Sequence, residues 1–372
     1  MSFAFEMIDL LVSSVTPVLD SGTGLRTYGV VAALARRRRV HVAYVVFDAA
    51  APAREYDALS SVAIRPLRAS RGPRRAAAYL RARARGVPAA LARGVSPELV
   101  HAASTASPDA RLIADGPVVA AALLPLAQSR NVVYLAHNLE SGFRTDWGRG
   151  DLRRFERRVL RCFSECWMPT RADVRGALAL GGPRVNAVHV PNVVDVAKIR
   201  PARPAGTGRL VFVGDFTYEP NREGLEYLVE NVLPRLWARR PAARLDVVGR
   251  GPVELPGDTR IAVRGFVEDL EAVYGSADAV VVPLLHGGGS PLKFIEGLAY
   301  GLPVVATEHA ARLLEDGVPG RDFLAAATPE AFAAALDLTL GDAGRAAALG
   351  AAGRELATRC YSIDALATIL AA

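Results

Sequence analysis

The sequence predicts an α/β protein made of two doubly wound parallel-sheet domains facing across a cleft. Three observations carry this. Short apolar runs rich in β-branched residues alternate with stretches of helical period along the whole chain. Residues 200–208, RPARPAGTG, break the period with two prolines and two glycines, and the alternation then restarts. Residues 277–309 read as strand, glycine loop, helix and strand, the turn that presents backbone N–H groups and a helix N-terminus to an anion. At 372 residues the chain has room for two cores. The boundaries expected are 1–200 and 206–354, with a final helix at about 355–372 packing back on the first domain. Two such sheets in tandem oppose their carboxyl ends, where ligands bind.

In the first half, strands are expected at Glu6 to Ser13, Val40 to Phe47, Val62 to Pro66, Glu98 to Ala102, along NVVYLAHN to His137, and at CWMPT. The loop VLDSGTG leads from the first of these into a helix, Leu25 to Arg37. Further helices are expected at 72–93, Pro117 to Ala127, Asp151 to Phe163 and Arg171 to Leu180, and VNAVHVPNVVD runs from strand into loop. In the second half RLVFVGDF is a strand, and its loop TYEPN leads to a helix, Arg222 to Arg239. That helix has Leu225, Leu228, Val229, Val232, Leu233 and Leu236 at core spacing. ARLDVVGRG and RIAVRGF are strands and VEDLEAVYGSA a helix. After Thr328 the chain is Ala-rich helix.

Within 277–309 the run Ala279 to Leu285 breaks at His286 and three glycines. Ser290 stands where an N-cap belongs and Pro291 at the first helical position, where a missing N–H costs nothing. Lys293 in the first turn opposes the helix dipole, an unfavourable placement that a bound phosphate would reverse. Lys293, Glu296 and Tyr300 fall on one arc about 60° wide, with Leu292, Phe294, Ile295, Leu298, Ala299 and Leu302 opposite. A cation beside the glycine loop, with a carboxylate one turn deeper, suits a nucleotide: pyrophosphate first, ribose hydroxyls second.

The N-terminal stretch lacks a basic leader region and no uncharged apolar run reaches about 18 residues, so neither a signal peptide nor a membrane span is expected. The three cysteines, with no second Cys or His pair near Cys162 and Cys166, read as free thiols of a cytoplasmic protein. Residues 1–205 carry a net charge of +14 and the remainder −7, against +7 for the whole. The Arg clusters at 36–39 and 71–85 point to an anionic partner such as a membrane surface, with peripheral association at its inner face. Compositional bias explains them equally, since Lys198 and Lys293 are the only lysines. Aromatic residues are 7% of the chain and do not interleave with these clusters, which argues against nucleic acid.

The blocks RLVFVGDFTYEPN, LPRLWARRPAARLDVVGRGP, VRGFVEDL and 277–309 resemble, in order and spacing, those of the retaining nucleotide-sugar glycosyltransferases of family 4, which have the GT-B fold. SGTGLRTYGVVAALAR and VVYLAHN extend the resemblance into the first half. It implies transfer of a sugar from a nucleotide-diphosphate sugar to a hydroxyl acceptor: a glycan, a lipid-linked intermediate or a natural product. Residue by residue, it implies ribose binding by Glu296 and a diphosphate cradle of Gly287, Gly288, Gly289 and Ser290. It places Lys293 beside the same phosphates, and Phe266 and Val267 at the base. Gly22, Gly24 and Gly214 lie in the loops that approach the donor, and His137 near the transferred sugar. Arg26, Asn138 and Glu140 are weaker candidates, for the acceptor.

Two departures stand out. Gly288 occupies the position of the family's first carboxylate, and Asp215 that of an arginine after the strand at 209–213, leaving Arg222 the nearest cation there. Tyr218, Pro220 and Asn221 match the Tyr-x-Pro-Asn signature of one branch of the family. No Asp-x-Asp stands in a suitable loop, so neither metal nor cofactor is expected. The resemblance implies front-face attack with the departing phosphate taking the acceptor proton. A catalytically silent partner subunit and a sugar-nucleotide epimerase of similar fold are the alternatives. His41, His101 and His189 read as packed residues in or beside strands.

Overall fold

The computed structural model describes residues 8–46, 50–142, 149–255, 257–288 and 291–371. It divides the chain into two units, one of residues up to Asn192 plus those from Leu366 onward, the other Val193–Ala365.

The first unit has seven strands: β1 (Ile8–Ser13), β2 (Arg39–Val46), β3 (Val62–Arg68), β4 (Arg111–Asp115), β5 (Val132–Leu135), β6 (Glu165–Met168) and β7 (Ala187–His189). Its helices are α1 (Gly22–Ala35), α2 (Pro73–Ala84), α3 (Ala89–Ala92), α4 (Pro97–Ser104), α5 (Gly116–Leu123), α6 (Arg149–Cys162) and α7 (Arg171–Gly181). All strand pairs are parallel, in the order β3-β2-β1-β4-β5-β6-β7. Leu11 is in register with Val42 on one side and Ile113 on the other. The strand β5, VVYL, is buried at every position, as expected of a strand inside a parallel sheet.

Two first-half expectations are corrected. Residues 98–102 are helical. Pro97 and Glu98 start α4, and Leu99, Ala102 and Ala103 are buried at helical spacing. The fourth strand is instead Arg111–Asp115, whose five residues sit between a turn and a helix start. The helix expected at 72–93 is two helices, divided where Gly86 and Pro88 interrupt it.

The second unit has six strands: β8 (Arg209–Val213), β9 (Arg244–Val248), β10 (Ile261–Gly265), β11 (Ala279–Val282), β12 (Val304–Thr307) and β13 (Leu324–Ala326). They are parallel, in the order β10-β9-β8-β11-β12-β13. Its helices are α8 (Glu219–Tyr227), α9 (Leu233–Trp237), α10 (Leu270–Gly275), α11 (Leu292–Ala299), α12 (Glu308–Arg312), α13 (Pro329–Gly341) and α14 (Ala343–Cys360), and the last helix, α15 (Ile363–Ile369), starts in this unit and passes into the first at Leu366. The one helix expected from Arg222 starts earlier, with Pro220 in its first turn. It widens to a π-turn at Leu228–Val232, just ahead of Pro234, which has no N–H to give. The short edge strand β13 escaped the sequence reading. The Ala-rich tail is three helices, broken at Asp342 and Ser362, whose side chains cap the helices that follow.

The stretch at 193–208 packs on the second unit. The Ala202 N–H donates to Tyr300 O at 2.7 Å, and Asp278 takes the N–H groups of Thr207 and Arg209 at 2.8 and 2.9 Å. Helix α14 lies close against α11: a Cβ at Gly350 would stand 2.0 Å from the Gly301 carbonyl oxygen.

Candidate functional site

In each sheet the strand order reverses once, between β1 and β4 and between β8 and β11. In open α/β sheets such a point, at the carboxyl ends of the strands, is the usual ligand position. Most of the expected site residues follow these four strands or lie one strand away.

In the second unit, β11 leads through Pro283 and Leu284 to Gly287. Its φ of +114° is a conformation that disfavours any side chain. The Gly287 carbonyl accepts from His309 Nε2 at 3.1 Å, and Glu223 pairs with His286. Gly288 is exposed; Gly289 and Ser290 lie outside the described residues. Helix α11 begins one residue later than expected. Pro291, with ψ of 104°, is its cap, and its carbonyl accepts the first helical bond, from Phe294 N at 2.9 Å.

Lys293 and Glu296 stand half-buried on α11. Burial drives the Lys293 ammonium down to about 8, opposed by the nearby charges of Glu296 and Asp215. Burial likewise lifts the Glu296 carboxyl to about 7, opposed by a hydrogen bond from Tyr274 and by Lys293. The Tyr274 hydroxyl donates to Glu296 Oε2 at 3.2 Å, and its ring stacks on Tyr300 with centroids 4.4 Å apart. Among the described residues Lys293 has one hydrogen-bond partner, the Asn221 side-chain oxygen. The Phe212 ring lies 5.5 Å from its Nζ. A desolvated cation held by one neutral amide has unused donors, and an anion is what they lack.

Gly214 follows β8, with its N–H on Val248 O at 2.9 Å and the Asn221 side chain beside it. Arg222 is exposed on α8. The Asp215 carboxylate is engaged by Thr217 N at 2.9 Å and Thr217 Oγ1 at 2.6 Å. Phe266 is 55% exposed with the Arg250 guanidinium 4.4 Å from its ring, whereas Val267 is half-buried against the core.

In the first unit, Gly22 and Gly24 form the first turn of α1, where Gly24 N donates to Ser21 Oγ at 3.2 Å. His137 lies beyond β5, its Nε2 2.9 Å from Asp115 Oδ1, which also accepts from Thr27 Oγ1 at 3.0 Å. That contact fixes the ring orientation and the tautomer, with Nδ1 buried and unpartnered among the described residues. Asp115 is a further candidate, absent from the sequence expectations because it ends the central strand they misplaced.

Arg26 does not line an open pocket. It is buried, and its guanidinium donates to Ala136 O at 2.8 Å, Val190 O at 2.7 Å, Asn192 Oδ1 at 3.0 Å and Trp167 O at 3.3 Å. Burial lowers it to about 10. Glu140 is buried too, its N–H on Glu156 Oε1 at 2.8 Å, and Asn138 is half-buried. His41 sits at an exposed position of β2 and His101 is exposed on α4, so neither is a packed strand residue.

Residues 207–342 match the family described as Glycosyl transferases group 1. A phosphatidyl-myo-inositol mannosyltransferase of Mycobacterium leprae is 31% identical over 36% of this chain and 39% of its own length. A GDP-mannose-dependent alpha-(1-6)-phosphatidylinositol monomannoside mannosyltransferase of Mycolicibacterium smegmatis is 30% identical over 47% of this chain and 53% of its own. The matches thus span about half or less of these relatives. Among solved structures, Anabaena Alr3699/HepE in complex with UDP and glucose aligns with a TM-score of 0.74 at 14% identity, over 98% of both chains. Sucrose-phosphate synthase from Thermosynechococcus elongatus aligns with a TM-score of 0.72 at 19% identity, over 98% of this chain and 97% of its own. The fold is GT-B.

Proposed function

We propose that this GT-B chain, whose residues 207–342 belong to the glycosyl transferases group 1, is a retaining glycosyltransferase that uses a nucleotide-diphosphate sugar. The observation that carries the reading is the Lys293 ammonium, half-buried at the start of α11, with a single neutral partner among the described residues and Glu296 one turn deeper. In this reading Lys293, the α11 N-terminus and loop amides stabilise charge developing on the leaving diphosphate, the greatest rate contribution such a site makes. Glu296 takes the ribose hydroxyls. His137, oriented by Asp115, supports the reacting sugar and acceptor. Retention and metal independence follow the family resemblance, with the departing phosphate as base for the acceptor hydroxyl.

A lipid-linked acceptor is supported by the names of the two mycobacterial relatives and by the exposed arginines of the first unit. Arg74, Arg81 and Arg85 stand on or at the end of α2, and Arg153 and Arg158 on α6, all exposed. The Arg158 guanidinium donates to Arg85 O at 2.9 Å and joins the two helices. Reversing Arg81, Arg85, Arg153 and Arg158 to Glu is expected to abolish binding to anionic liposomes in low salt, at about 1 kcal/mol per charge. Equal binding before and after removes the membrane from the scheme.

Thermal shift against a panel of UDP- and GDP-sugars tests the donor directly, since a ligand of the folded form raises the melting midpoint. No shift with any member, together with tight association with another glycosyltransferase, identifies a silent partner subunit instead, the reading that Gly288 in place of a carboxylate favours.

A further inference from the structure

Helix α8 and its cap residue touch the glycine corner through Tyr218 and Glu223, and reach Lys293 through Asn221. The Tyr218 hydroxyl lies 3.1 Å from where a Cβ on Gly287 would stand, and Glu223 pairs with His286. Asn221 does more. It is 4% exposed, donates from Nδ2 to Asp215 O at 2.7 Å, and accepts from Lys293 Nζ with Oδ1. The bond to the loop after β8 fixes which end of the amide is oxygen, so the end facing Lys293 is an acceptor. Lysine is a flexible point charge that must be held to act from one place. A carboxylate could hold it only by neutralising it and by facing the Asp215 carbonyl; a neutral amide leaves the charge for another anion.

We propose that Asn221 is a positioning residue that holds the charged Lys293 ammonium at the Gly287 corner for the donor diphosphate. The proposal deepens the donor reading above and rests on it. The charged groups near Lys293 are Glu296 and Asp215, and neither hydrogen-bonds it among the described residues.

The test is a double-mutant cycle read with UDP and GDP, and with uridine and guanosine as probes lacking phosphate. Asn221→Ala and Lys293→Ala should each weaken diphosphate binding by about tenfold or more, and the double variant should be no weaker than the weaker single. Asn221→Asp should weaken it as well, and nucleoside binding should be unchanged throughout. Additive losses, or equal losses for nucleoside and diphosphate, overturn the proposal in favour of a purely structural asparagine. A second readout does not need the donor. Lys198 and Lys293 are the only lysines, so protein labelled at lysine Cε shows two titrating signals. In Asn221→Ala the Lys293 midpoint should move by about half a unit or more while that of Lys198 stays. If neither nucleotide binds the wild type, the donor reading falls, and an unmoved Lys293 midpoint separately sinks the pairing.

Discussion

The two units share one topological device but leave its cation in different states of satisfaction. Both reverse strand order beside their first strand, and both place a basic residue on a helix near that point: Arg26 on α1 and Lys293 on α11. Arg26 meets four acceptors at the ends of β5, β6 and β7, and is a clamp. Lys293 meets one. Burial alone therefore does not mark a binding cation; the count of satisfied donors does. A guanidinium whose fork is filled by carbonyls has little left to offer, while an ammonium with one amide partner has spare capacity.

The sharpest way to break this contrast is Lys293→Ala. Donor binding and transfer should fall by about 10²–10³-fold, the cost of one preorganised contact to developing charge; steady-state kinetics with unchanged turnover would remove Lys293 from the mechanism. Next is stability. Arg26→Met strands four buried acceptors and should cost about 3 kcal/mol or more in denaturant unfolding. Lys293→Met, which removes a desolvated charge, should cost under about 1 kcal/mol or stabilise. Equal costs would erase the distinction between clamp and ligand.

Asp115→Ala should slow transfer by up to about 10²-fold through a misplaced His137, with nucleotide affinity intact. Loss of affinity in that variant would place Asp115 among the donor contacts. The smallest effect is a pH signature of the second unit. The Glu296 carboxyl is raised from its ordinary 4.5 to about 7 in the folded protein, so its contribution is fully present below pH 4.5 and is lost as pH rises through 7. Lys293 is lowered from 10.5 to about 8, so its contribution is present above 10.5 and is lost as pH falls through 8. Glu296→Gln should therefore melt progressively higher than wild type as pH rises from 5 to 7.5, by on the order of 5 °C at the top of that range. A constant offset would mean Glu296 titrates normally.

Much of this was legible in the sequence, and the exceptions share a cause. Apolar runs bounded by glycine or proline gave the β11–α11–β12 corner, because periodicity and turn chemistry agree there. β4 was missed because five residues between a turn and a helix start carry little pattern, and Asp115 was missed with it. Arg26 was placed beside the right loop but given the wrong task, since nothing in the neighbouring residues announces carbonyls 110 to 166 positions away. Asn221 showed as part of a signature. Its bond to Lys293 spans 72 positions, and local spacing is silent at that range.

The close seam between α14 and α11 carries one more consequence. With Gly350 set against Gly301, even a single methyl at 350 would force one of the two helices outward. The rear of α11 is thus anchored like a fixed jaw, and any adjustment falls to the segments ahead of it, 214–218 and 285–288. Glycine at 350 supports the Lys293 end of α11 from behind.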